Sequence, residues 1–156
     1  MNRSFWTALA VGGCLGCAAW VSLPAQAQGV IERLAPVKEQ LAVIKTFDDL
    51  FMEQVKIGDA LFHGDPATEK KMNVTLSTTG MACAMCHPFA ADTHPAQYPK
   101  WQEQMSKFAT LRDMINWCIE KPNQGEVLDH DSEAMKALEA YIYWSNTGSV
   151  LVPGRY

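Results

Sequence analysis

No stretch of this sequence alternates apolar and polar residues over the length of a half-buried strand, none repeats, and none is of low complexity. Without a strand pattern the expectation is an all-α chain. Without repeats, and with 156 residues, it is a single domain around one core. Basic residues are outnumbered, 13 against 17 acidic, for a net charge of −4. That balance argues against nucleic acid as a partner and favours a basic protein. Cysteine is scarce, five in all, and their placement is the informative part.

The first residues read as an export signal. Arg3 gives a positive start, residues 5–23 an apolar run, and Ala25-Gln26-Ala27 a small-residue cleavage site. Residues 1–27 are therefore expected to be removed, placing the mature chain in the periplasm with a net charge of −5 once Arg3 is gone. A membrane contact is expected only if that segment is retained. Cys14 and Cys17 leave with it, and Cys83, Cys86 and Cys118 remain.

Cys83-Ala84-Met85-Cys86-His87 organises what is left. Two cysteines two residues apart, followed at once by histidine, form the attachment site of a c-type haem. The thiols add across the two vinyl groups of the porphyrin, and the histidine is delivered to the iron. A redox C-x-x-C would call for a βαβ context, and a zinc site for a second ligand pair at similar spacing. Neither is present. One such motif implies one covalent haem c, held by Cys83, Cys86 and His87.

Around the motif the chain reads as four helices. Residues 30–45 carry Leu34, Val37, Leu41 and Ile44 on one face, with Pro36 suited to a first turn. Thr46 is a plausible cap for a second helix over 47–63, striped by Phe47, Leu50, Phe51, Val55, Leu61 and Phe62 and stopped by Gly64. Gly58 interrupts that stripe, which predicts the close approach of another helix. Residues 65–81 read as a polar loop, and Pro88, Pro95 and Pro99 rule out a long helix after His87. Residues 101–108 suggest a short turn. Residues 111–121 read as a helix with Phe108, Leu111, Met114, Ile115 and Cys118 to one side. The last runs from Asp131 or Ser132 to about Asn146, with Met135, Leu138, Tyr141, Ile142 and Trp144 expected to be buried.

Gly58 in the first core helix and Tyr141 and Trp144 in the last, bracketing C-A-M-C-H, resemble the class I cytochrome c fold. That resemblance implies a domain over 47–148, with an arm at 28–46, a tail at 149–156, and first and last helices crossing around the haem. By the same analogy the Pro99 carbonyl would hold the second nitrogen of His87. A narrower resemblance rests on Tyr98-Pro99-Lys100, on Leu111-Arg112-Asp113-Met114-Ile115-Asn116-Trp117-Cys118, on Gly125, and on 135–141. These look like the sulfur-oxidising cytochromes, the Sox complex A subunit and the thiosulfate dehydrogenases. In those families a cysteine at the place of Cys118 ligates the haem.

The loop 122–131 contains no methionine, although ordinary class I cytochromes draw their second axial ligand from there. A left-over cysteine in an exported chain also asks for a role. Cys118 is thus the expected ligand opposite His87, with Met114 and Met105 as alternatives. His63, His94 and His130 are weaker candidates. The expected function is electron transfer in the oxidation of inorganic sulfur compounds, with another cytochrome or a sulfur-oxidising enzyme as redox partner. Two rivals stand beside it: a haem-bearing catalytic subunit that acts on thiosulfate, and a methionine-ligated general shuttle. A catalytic site would need basic residues at the haem mouth, and Lys100, Lys107 and Arg112 are the candidates.

Overall fold

The computed structural model describes residues 25–155 and divides the chain into two units, residues 1–40 and 41–156. The signal run at 5–23, with Cys14 and Cys17, lies outside the described residues. In the first unit the described residues are helical, and those whose side chains are described are exposed. They belong to α1 (Ala25–Phe62), a single 38-residue helix. The two helices expected over 30–45 and 47–63 are therefore one. Thr46 does not cap: its hydroxyl donates to the carbonyl of Ala42 at 3.0 Å, the back-bonding a threonine adopts inside a helix. Pro36 sits within the helix rather than in its first turn.

In the second unit, α1 becomes a core helix only near its end. Phe47, Leu50 and Phe51 are exposed, against the expectation of burial, whereas Val55, Leu61 and Phe62 are buried. Gly58 marks the contact. A Cβ placed there would stand 1.9 Å from the carbonyl oxygen of Ala137 and 2.8 Å from Cβ of Tyr141. Only a glycine admits that approach, so α1 crosses the last helix, α5 (Glu133–Ser145), where the sequence placed the crossing.

The polar loop expected at 65–81 contains a helix, α2 (Pro66–Met72). The Asp65 carboxylate accepts from the amide of Thr68, and Pro66 occupies the first helical position, where its missing N–H costs nothing. One turn, α3 (Cys83–Cys86), carries the two motif cysteines. Where a short turn was expected, a hairpin pairs β1 (Lys100–Gln102) antiparallel with β2 (Lys107–Ala109). Its three-residue strands are too short to show alternation. Next comes α4 (Leu111–Glu120), started by a reciprocal cap in which Thr110 accepts from the Asp113 amide and Asp113 accepts from the Thr110 amide.

The core joins the end of α1, α4 and α5 through Leu61, Ile115, Ile119, Met135, Leu138 and Ile142. Trp144, expected inside, is 46% exposed. Arg112 on α4 donates through two nitrogens to Glu139 on α5, at 2.9 and 2.8 Å. Asn116 donates to the carbonyl of Leu128 and accepts from its amide, which pins the loop before α5 to α4. Among the described residues no helix is long and apolar enough to cross a membrane.

Candidate haem site

Enclosed by these elements is a cavity of about 460 Å³, within the range of cofactor sites. Cys83, Cys86 and His87 line one wall. Met114 and Cys118 from α4 line it too, with Phe62, Leu138 and Ile142 as apolar lining. Because Met114 and Cys118 are one turn apart, α4 presents both sulfurs to the same space. The structure thus brings together the attachment motif and two of the three proposed second ligands. Met105 lies in the turn Glu103–Met105 and is not part of the lining. Met135 is fully buried in the core.

The fit to a haem rests on three observations. The two cysteines occupy a single helical turn, so both thiols serve one edge of the cavity. The Nδ1 of His87 is 2.9 Å from the carbonyl oxygen of Ala91, which fixes the ring and reserves Nε2 for a metal. Burial pushes the Cys83 thiol up to about 12, with the nearby Cys118 adding to it, and pushes the Cys118 thiol up to about 11. Both are therefore neutral thiols at ordinary pH, in a wall that would keep them so without a metal to stabilise the thiolate. Among the described residues no group of three or more His, Cys, Asp or Glu could hold a metal ion. A flat macrocycle spanning the cavity suits this donor set better than a bare cation.

The carbonyl that holds His87 corrects the expectation of Pro99. The chain after the motif turns sharply, with Phe89, Ala90, Asp92 and His94 all at positive φ between 47° and 58°. Those left-handed residues fold the Ala91 carbonyl back over the imidazole. Asn146, the residue that caps the end of α5, secures the turn by donating to the carbonyl of Ala90 at 3.2 Å, as does Thr93 at 2.7 Å. Pro99 instead accepts from the amide of Gly154.

Of the three basic residues offered for an anion, two are committed elsewhere. Lys107 pairs with Asp113 at 2.6 Å, and Arg112 pairs with Glu139 and Asp131. Lys100 alone lines the cavity, with its Nζ donating to the side chain of Gln97 at 2.9 Å. The Met114 sulfur accepts from the amides of Gln102 and Gln104 at 3.6 and 3.7 Å, and Gln102 also donates to the Tyr98 hydroxyl. Sequence reasoning missed this amide pair, because glutamines on a hairpin give no pattern.

His94 is exposed yet lines the cavity. His63 lies outside it and holds Asp59. His130 is exposed, and its carbonyl accepts from Arg112. Missed as well was Asn123, a buried residue of the lining whose carbonyl accepts from the Thr78 amide at 3.0 Å. It ties the segment before the motif to the loop after α4. Gly125 permits that approach, since a Cβ there would meet the carbonyl oxygen of Leu76 at 2.4 Å.

Comparison with known proteins agrees with this geometry. The family model for the SoxA/TsdA cytochrome c domain matches residues 68–151. A thiosulfate dehydrogenase of Psychrobacter arcticus is 30% identical over 70 residues, covering 40% of this chain and 21% of that protein. The chain thus spans about a fifth of the length of that relative. The match takes in the attachment motif, α4 and α5, and the chain belongs to the SoxA/TsdA cytochrome c domain family.

Proposed function

We propose that this chain is a periplasmic monohaem cytochrome c that carries electrons in the oxidation of inorganic sulfur compounds. Cys83 and Cys86 would hold the haem through thioether bonds, and His87 and Cys118 would be the residues that bind its iron. The bound group supplies a one-electron centre whose potential the axial ligands set. The observation that carries the reading is a single cavity lined by the attachment motif and by Cys118. His87 is oriented by the carbonyl of Ala91, and Cys118 sits on α4, whose start is capped by Thr110 and Asp113 and whose middle is tied through Asn116 to Leu128. A thiolate there favours a low potential and an electron donor role. The link to sulfur rests on the family and on the named activity of the relative.

The competing reading is a catalytic subunit that itself oxidises thiosulfate, and the presence of Lys100 in the lining favours it. Carriage is preferred because Lys107 and Arg112 are neutralised by carboxylates, leaving a single cation for a doubly charged substrate. Incubating the haem-loaded protein with thiosulfate and an artificial acceptor separates the two. Carriage predicts no sustained tetrathionate production by this chain alone, and steady turnover would establish the catalytic reading.

A further inference from the structure

The two glutamines of the hairpin converge on one sulfur. Gln102, on β1, donates through its amide nitrogen to the Met114 sulfur at 3.6 Å, and Gln104, in the turn that follows, does so at 3.7 Å. A thioether can accept a hydrogen bond and has none to give, so only the NH2 ends of the two amides fit there. The NH2 group of Gln102 has two hydrogens, and its other partner is the Tyr98 hydroxyl at 2.6 Å. Lys100 and Gln102 are half-buried while Trp101 between them is exposed, so the alternation of the strand turns Gln102 inward. The hairpin is itself fastened to α4. Gln102 pairs across it with Lys107, and Lys107 is ion-paired at 2.6 Å with Asp113, the residue before Met114.

We propose that Gln102 and Gln104 are positioning residues that hold the Met114 sulfur off the iron and so leave that place to Cys118. The proposal rests on the reading of this cavity as a haem site and deepens it. Met114 and Cys118 both line the cavity, and a flexible methionine beside a haem is a competent ligand unless something restrains it. A thioether sulfur has two lone pairs and binds a metal through one of them. Two amide donors on the same sulfur engage both. Folding gives little reason for the pair: Gln104 is exposed, and its amide has water as an equally good partner. What two donors from one anchored hairpin do fix is where the sulfur sits. The choice of sulfur matters to function, because a methionine ligand raises the potential and a thiolate donates electron density to the iron.

Electron paramagnetic resonance of the oxidised, haem-loaded full chain carrying Cys118→Ala, near neutral pH, tests the proposal. With the glutamines in place Met114 stays held, and the iron should be high-spin. Adding Gln102→Leu and Gln104→Leu should release the sulfur, giving a low-spin, methionine-ligated iron and a potential above that of Cys118→Ala. Gln102→Glu with Gln104→Glu keeps the shape of both side chains without their N–H donors and should act as the leucines do. Adding Met114→Leu should return the high-spin spectrum, which loosened packing alone would not do. Methionine ligation in Cys118→Ala with both glutamines intact overturns the proposal. So does an iron that stays high-spin when the glutamines are replaced, and so does a low-spin iron that survives Met114→Leu. Failure of the Cys118 assignment reads out separately, as a wild-type spectrum without the thiolate signature, and the Cys118→Ala series decides the proposal in either case.

Discussion

Helices α1 and α4 differ in how much of their apolar sequence the domain uses. α1 is 38 residues long, and its large apolar side chains from Leu34 to Phe51 face solvent. α4 has ten residues, is capped by Thr110 and Asp113 and tied to α5 by Arg112, and buries Leu111, Ile115 and Ile119. Its remaining face supplies Met114 and Cys118 to the cavity. The helix that lines the cavity is thus the one held by its cap, by Arg112 and by Asn116, as a residue positioned for binding requires. The long helix contributes one tight contact, at Gly58.

That contrast can be broken most severely at Gly58. Gly58→Leu should cost about 3 kcal/mol, the upper end of overpacking, because backbone rather than a yielding side chain stands in the way. A fall in melting temperature of several degrees checks it, and unchanged melting would place the crossing elsewhere. Next comes the clamp on α4. Arg112→Ala should cost about 1.5 kcal/mol by leaving the half-buried Glu139 unpaired, as read by denaturant titration.

The cap of α4 gives a smaller, pH-dependent effect. Burial raises the Asp113 carboxyl, but Lys107 and the Thr110 donors outweigh it and hold it at about 2, below its usual 3.8. A depressed carboxyl contributes stability above its unfolded value and loses it as pH falls toward the folded one. The advantage of the wild type over Asp113→Asn, about 1 kcal/mol near neutrality, should therefore shrink between pH 4 and pH 2. A difference independent of pH across that window would show that the ionised cap is not the source. Smallest of all is Leu50→Ser on the exposed stretch of α1. It should change stability by no more than about 0.5 kcal/mol, in contrast to Gly58 two turns along.

What the sequence made legible was local chemistry at short spacing. The C-x-x-C-H turn, the crossing at Gly58 and the start of α5 at Ser132 each follow from a few adjacent residues. Cys118 stood out as the thiol without an assigned use, and it lines the cavity. Spacing gives the apolar stripe of α1 but not which part of it is covered, and Phe47 and Phe51 belong to the uncovered part. Thr46 looked like a cap because threonine bonds equally well to a carbonyl one turn back. The Asp65-Pro66 start of α2 carries a cap and a first-turn proline, but the helix that follows is short and polar and has no apolar face to mark it. The Ala91 carbonyl left no trace, since any residue can supply it once the chain turns at Phe89 and Ala90. Nor could spacing reveal that Lys107 and Arg112 face carboxylates rather than the cavity mouth.

The electron paramagnetic resonance spectrum of the oxidised, haem-loaded protein, compared with that of Cys118→Ala, tests the site most directly. Ligation by His87 and Cys118 predicts a low-spin thiolate signature in the wild type. Its loss in the variant should leave a high-spin iron or a shift to Met114, with the potential rising. An identical spectrum and potential in the two proteins would contradict the assignment and leave Cys118 as packing in the cavity wall.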